Sequence, residues 1–289
     1  MTSPERPVLA CAGRSLDLSQ PIVMGIINTT PDSFSDGGAL YRSGVLDLEQ
    51  ALERARDLCG QGAAILDIGG ESTRPGAAPV SVQQELDRVL PLVERIAAEL
   101  DVVISVDTSS ARVISAAAAA GAGMINDVRA LVREGALEAA AATSLPICLM
   151  HMQGDPSTMQ QAPVYRDVVA EVGAFLGERI AACEAAGIQR QRLVLDPGFG
   201  FGKTLAHNFQ LLQRLPELAI GGLPLLVGLS RKSLIRKVLG REVGDRLPAS
   251  LALAVLAAER GAAIIRVHDV AETRDALAMY DALKQWGQP

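Results

Sequence analysis

Asp107 in ISVDTS, Asn126 in INDV and Asp196 in LDPGFGFGK each follow a short apolar run. An ionised carboxylate taken out of water without a partner costs several kcal/mol, so a buried aspartate at such a position implies one. Two carboxylates and an amide offer acceptors for the amino and ring N–H groups of a flat heterocycle. Helix capping by Asp107 ahead of Thr108, and salt bridges within a pocket mouth, remain open as structural alternatives. A cationic set accompanies them: Ser230-Arg231-Lys232-Ser233, and Arg266-Val267-His268, where alternation along a strand puts Arg266 and His268 on one face. With Asn28 as a metal ligand, these groups suit a diphosphate. Arg236, Lys237 and Arg241 read as a solvated basic helix face, while Arg246 stays open between that and the site.

Two loops carry further candidates. Residues 24–38, MGIINTTPDSFSDGG, run from Asn28 into a polar stretch whose one aromatic, Phe34, needs something to cover, as a lid over a pocket would. Residues 62–77, GAAILDIGGESTRPGA, place Asp67 inside a strand, where it reads as a buried structural acceptor. Ser72, Thr73 and Arg74 follow on a Gly/Pro-rich loop, and Arg74 is suited to clamp a phosphate or carboxylate. The GFGFGK stretch, residues 198–203, is not a P-loop, because Pro197 stands where that motif needs a glycine. Its glycines let the chain bend close to a ligand, with Phe199 and Phe201 available to cover it. No Ser/His/Asp or Cys/His arrangement for nucleophilic catalysis stands out.

What must position these groups is a series of β-type runs at residues 22–27, 64–68, 102–106, 124–125, 147–150, 193–195, 225–229 and 264–267. Helical stretches at 46–59, 82–99, 111–120, 168–186, 250–260 and 271–284 lie between or after them. The runs are apolar on both faces, as strands of a covered parallel sheet are. Nearly every one ends at a polar residue. A closed (β/α)8 TIM barrel gathers strand C-termini around one mouth, whereas an open doubly wound sheet would spread them along an edge. The expected fold is therefore α/β, a TIM barrel in one domain. A short N-terminal hairpin within residues 1–20, built on 8–10 and 16–18, is expected to plug its lower end.

Composition narrows the function. The chain has 289 residues, 49% of them hydrophobic, and a net charge of −6, which argues against nucleic-acid binding. Its four cysteines are scattered without metal-site spacing and read as reduced thiols, and there is no signal-peptide or membrane-spanning run, so a cytoplasmic protein is expected.

GIINTTPDSFSDGG and AAILDIGGESTRPGA, followed in order by VDTS, INDV, LMHMQGDPSTMQ, LDPGFGFGKT, VGLSRKS and IIRVHDV, closely resemble the dihydropteroate synthase family over residues 21 to about 282. The resemblance implies a transferase of folate biosynthesis, the enzyme class that sulfonamides target. It would condense 6-hydroxymethyl-7,8-dihydropterin diphosphate with p-aminobenzoate to give 7,8-dihydropteroate and diphosphate, with Mg2+. It further implies that Asn28 ligates magnesium and that Thr73, Asp107, Asn126, Asp196 and Lys232 line the pterin and diphosphate region. Arg74, Arg266 and His268 would hold the diphosphate. Phe34, Pro75, Phe201 and Ser233, with Arg246 as a weaker candidate, would shape the p-aminobenzoate site. Asp107, Lys232 and Arg266 are the expected catalytic residues, and a homodimer joined through residues 250–260 is the expected assembly. A pterin-binding methyltransferase barrel, or a non-catalytic pterin-binding paralogue, would be expected to lack or erode the two signature loops, and both are intact.

Overall fold

The computed structural model describes residues 8–30, 41–42, 45–72, 80–155, 158–159 and 163–287. Phe34, Thr73, Arg74 and Pro75 lie outside them. The chain opens with an antiparallel hairpin, β1 (Val8–Cys11) and β2 (Arg14–Asp17), in which Cys11 faces Arg14. The two residues between them, Ala12 and Gly13, have φ of 46° and 85°. That is the two-residue turn whose twist matches the flanking strands, and glycine at its second position takes the left-handed conformation without a Cβ penalty.

Then follow β3 (Ile22–Asn28), a short antiparallel pair β4 (Tyr41–Arg42) and β5 (Val45–Leu46), α1 (Leu48–Gly60), β6 (Ile65–Gly69), α2 (Val82–Glu99), β7 (Val103–Asp107) and α3 (Ala111–Ala119). The second half contains β8 (Met124–Asp127), α4 (Ala136–Ala141), β9 (Ile147–Met150), α5 (Val168–Ala185), β10 (Leu193–Asp196), α6 (Leu205–Gln213), β11 (Leu225–Val227), α7 (Ser233–Leu239), α8 (Leu247–Glu259), β12 (Ala262–Val267) and α9 (Val270–Trp286). Among the described residues, eight parallel strands close into a barrel in the order β10-β11-β12-β3-β6-β7-β8-β9. The expected fold is thus the observed one.

Several boundaries differ from expectation. Strands β3, β7, β8 and β10 run on into Asn28, Asp107, Asp127 and Asp196. The backbone ladder is indifferent to side-chain polarity, so a polar residue that points into the mouth does not end a strand. The expected strand at 225–229 stops at Val227. The helix expected from 250 starts at Leu247, because Pro248 sits in the first turn, where no N–H partner is lost. Helices α4 and α6, of 6 and 9 residues, were not expected, being too short to show clear periodicity, whereas α7 carries the basic helix face read at Arg236 and Lys237. Capping fixes several of the others: Ser81 and Gln84 form a reciprocal capping box on α2, and Asp167 accepts from Val169 and Ala170 at the start of α5.

Two apolar shells hold the barrel. The larger lies between the strands and the helices. The smaller is inside: Met24, Ile65, Val103, Met124, Cys148, Val194, Leu226 and Ile264, one from each strand, cluster with Leu9, Cys11 and Leu18 of the N-terminal segment. The hairpin therefore caps the lower end of the barrel with apolar side chains, as expected. Leu9→Ala should destabilise the protein by about 2–4 kcal/mol through the lost burial and the cavity left behind. Val8→Ala, at a position 57% exposed on the same strand, should cost under about 0.5 kcal/mol. Urea unfolding of both variants checks this, and equal losses would show that the hairpin does not seal the core.

Candidate active site

Above the inner apolar shell the barrel interior turns polar. Arg266 of β12 donates from Nε to Asp67 Oδ2 at 2.6 Å and from Nη2 to Asp107 Oδ2 at 3.0 Å. Asp67 is fully buried and its Oδ2 also accepts from Asn126 Nδ2 at 3.0 Å. Asp67 is thus the structural acceptor anticipated, and its bond to the Asn126 amide turns the Asn126 carbonyl oxygen into the acceptor left for the cavity. Asp107 and Asn126 are direct neighbours across β7 and β8. Burial holds the Asp107 carboxyl above its ordinary range; Arg266 opposes this and the nearby Asp67 adds to it. Asp107 does not cap a helix: Ser110 occupies the cap position of α3.

The other side of the floor is Asp196 and Lys232. Burial raises the Asp196 carboxyl against the pull of Lys232, and it lowers the Lys232 ammonium to about 8 against the pull of Asp196. Both move toward neutrality, so desolvation outweighs their mutual attraction. Lys232 donates to the Phe199 carbonyl and lies 4.8 Å from the centre of the Phe201 ring. The loop between them is tightly folded. Gly198, at φ 69°, passes so close to the residue-151 backbone that a Cβ there would lie 1.8 Å from the His151 carbonyl oxygen, and one on Gly202 would lie 2.4 Å from that of Gln153. The glycines serve close backbone packing, and of the two aromatics Phe199 is wholly buried.

The rim after β11 and β12 is cationic. Ser230 Oγ accepts from the His268 backbone N–H at 3.3 Å and lies 3.0 Å from His268 Nδ1, so the serine fixes the imidazole at the rim. Arg231 is held in a left-handed conformation, φ 56°, by an ion pair to Asp269 and by its N–H donating to Ser250 Oγ at 3.0 Å. Arg246 is buried and donates to the carbonyls of Arg231 at 2.8 Å and Arg241 at 3.1 Å, so it acts as a clamp behind the rim. Arg236 and Lys237 on α7 are exposed, as expected; Arg241 is also exposed but lies beyond the end of that helix.

A cavity of about 420 Å³ opens at this mouth. Its wall contains Asn28, Asp107, Asn126, Asp196, Phe201, Lys232, Ser233, Arg266 and His268, together with Arg246. Residues not singled out from sequence also line it. Met150 follows Cys148 on the inward face of β9, so alternation alone would have found it. Glu71 is held by Arg129 through two contacts of 3.1 and 3.2 Å, and Arg129 also reaches Ser109 at 3.1 Å. Asp127, bonded by Ser109 and by the N–H groups of Arg129 and Leu131 at 2.8 Å each, belongs to this support and not to the cavity. No local pattern announced that network.

Removing Arg266 leaves two buried carboxylates facing each other. Arg266→Ala should therefore cost stability as well as ligand binding, by about 3–5 kcal/mol. Urea unfolding measures it; a loss below about 1 kcal/mol, the range of a surface pair, would show that the two aspartates do not depend on it.

The geometry can be set beside known proteins. A family model described as pterin binding enzyme matches residues 24–268. The dihydropteroate synthase of Escherichia coli (strain K12) is 57% identical over 274 residues, 95% of each chain. Yersinia pestis dihydropteroate synthase, solved with a sulfonamide drug complex, superposes with a TM-score of 0.93 at 55% identity, covering 96% of this chain and 99% of its own. The Xanthomonas albilineans enzyme with 4-aminobenzoic acid gives 0.89 at 53%, covering 96% and 98%. A barrel with a sealed base and a carboxylate–guanidinium floor, matched to these proteins over nearly its full length, belongs to the dihydropteroate synthase family.

Proposed function

We infer that this chain condenses 6-hydroxymethyl-7,8-dihydropterin diphosphate with p-aminobenzoate, giving 7,8-dihydropteroate and diphosphate. The observation that carries this reading is the floor: Asp107, Asn126 and Asp196 present acceptors to one cavity, with Lys232 beside them and the cationic rim above. A pterin presents amino and ring N–H donors along its edges, which the three acceptors match. Lys232 and Arg266 of the floor, with His268 of the rim, suit the diphosphate. In relatives, the Xanthomonas albilineans enzyme has been solved with 4-aminobenzoic acid and with 7,8-dihydropteroate.

The chemistry follows from charge. The bond between the pterin methylene and the diphosphate oxygen breaks, leaving a cation conjugated with the ring. Asp107, in a low-dielectric setting that disfavours its ionised form, gains from positive charge developing beside it. The neutral aryl amine attacks the methylene and then loses a proton, so no strong general base is needed. The Phe201 ring and Ser233 border the space for the aryl group, and Phe34 and Pro75 are assigned to its outer wall by the family resemblance. Arg74 and Thr73 are likewise assigned to the diphosphate and pterin.

Magnesium fits the donor set. Among the described residues no cluster of three histidine, cysteine or acidic side chains could cage a metal. Mg2+ commonly takes only one or two protein oxygens and completes its shell with phosphate and water. Asn28, on the cavity wall, supplies one such oxygen. When bound, the ion would neutralise charge on the leaving diphosphate.

We also place the protein in the cytoplasm, in keeping with its four unpaired cysteines. No helix among the described residues is long and apolar enough to cross a membrane. As a partner we assign a second copy of the chain. One face of helix α8, Ser250, Leu253, Ala254, Ala257 and Ala258, is buried within the chain. Leu256 of α8, Phe209 of α6 and Val238 and Leu239 of α7 nonetheless leave apolar surface exposed. Light scattering should give a dimer, and a monomer at tens of micromolar would remove this assignment. For the reaction itself, diphosphate release should require both substrates. Release from the pterin diphosphate without p-aminobenzoate at the same rate would indicate a hydrolase, and no release would refute the synthase reading.

A further inference from the structure

Lys203, the last residue of the GFGFGK stretch, is 1% exposed. Its ammonium makes no ion pair with a carboxylate among the described residues. It lies 2.9 Å from His151 Nδ1, and it donates to the carbonyls of Phe201 at 2.9 Å and His151 at 3.4 Å. Burying an ammonium this way is costly, and an aliphatic side chain would fill the space without that cost. What the ammonium adds is direction. It joins two segments, the chain just after β9 and the loop after β10.

The loop is held at three carbonyls. Lys232 takes that of Phe199, Lys203 that of Phe201, and the Tyr165 hydroxyl that of Gly202 at 2.9 Å. Lys232 faces the cavity, so its bond to the loop is the one that substrate can draw away. Lys203 is walled off and keeps its grip. The His151 imidazole, driven down to about 3 by burial and by Lys203, stays neutral and accepts the lysine's hydrogen bond.

We propose that Lys203 is a positioning residue for the aryl-amine substrate, fixing Phe201 at the edge of the cavity while Lys232 engages the pterin diphosphate. This rests on the reading of the cavity as the site of both substrates. It makes Lys203 a determinant of aryl-amine affinity although it touches no substrate.

The test compares Lys203→Met, Phe201→Ala and the double variant in steady-state kinetics, with thermal unfolding alongside. Lys203→Met should raise KM for p-aminobenzoate about tenfold, the loss of one buried hydrogen bond, while KM for the pterin diphosphate changes less than about twofold. On the Phe201→Ala background the lysine substitution should add little, since residues acting through one another are not additive. An additive effect, an equal rise in both KM values, or no change while Phe201→Ala is impaired would overturn the role of Lys203. No effect of Phe201→Ala would remove Phe201 from the aryl site and the proposal with it, while diphosphate release still judges the synthase reading separately. Should Lys203→Met fail to fold, Tyr165→Phe loosens the same loop more gently; it should raise KM for p-aminobenzoate alone, and an unchanged value would overturn the proposal.

Discussion

The buried ion cluster of Arg266 with Asp67 and Asp107 is the constraint on which the site depends. One guanidinium, reaching from β12 to β6 and β7, holds two carboxylates in the centre of the barrel. Asp67 in turn orients Asn126 on β8. Four strands are thereby tied through side chains where the interior no longer supplies apolar packing. Such a cluster gives little net stability, because desolvation consumes most of the Coulombic gain. Its return is geometric: acceptors arrive preorganised at the floor, and no reorientation is needed when charge develops above them.

The remaining polar groups follow the same logic at increasing distance. Asp196 and Lys232 are each shifted toward neutrality by burial, so a ligand that supplies donors to one and negative charge to the other relieves both at once. Behind the rim, Arg246 and Asp269 fix Arg231, and on the far wall Arg129 fixes Glu71. These contacts determine where the cavity-lining residues Arg231 and Glu71 stand. A site made of short strand ends needs such bracing, since each strand contributes only its last one or two side chains.

Much of this could be read in the sequence, for identifiable reasons. Apolar runs ending in Asn28, Asp107, Asn126, Asp196 and the Arg266/His268 pair reveal both the strands and the mouth, because period-two alternation is local information. The hairpin is legible from Ala12-Gly13 between two apolar runs. The short helices α4 and α6 are not, since so few residues carry no clear period. Nor is the pairing: that Asp67 meets Arg266, 199 positions away, or that Lys203 meets His151, depends on barrel closure and not on any local pattern. Arg246 shows the limit. It does line the cavity, but that two of its donors go to the Arg231 and Arg241 carbonyls is set by the fold and not visible in the sequence.

The apolar plug at the base has a consequence for traffic. With Leu9, Cys11 and Leu18 packed beneath the inner ring of the barrel, the described residues close its base and the chamber opens at its mouth. Whatever settles against the floor is covered by whatever arrives after it. Occupants must then depart in reverse sequence of depth, last in and first out, unless an upper one is small enough to slip past. A barrel closed at one end thus imposes an itinerary on its visitors before any chemistry is considered.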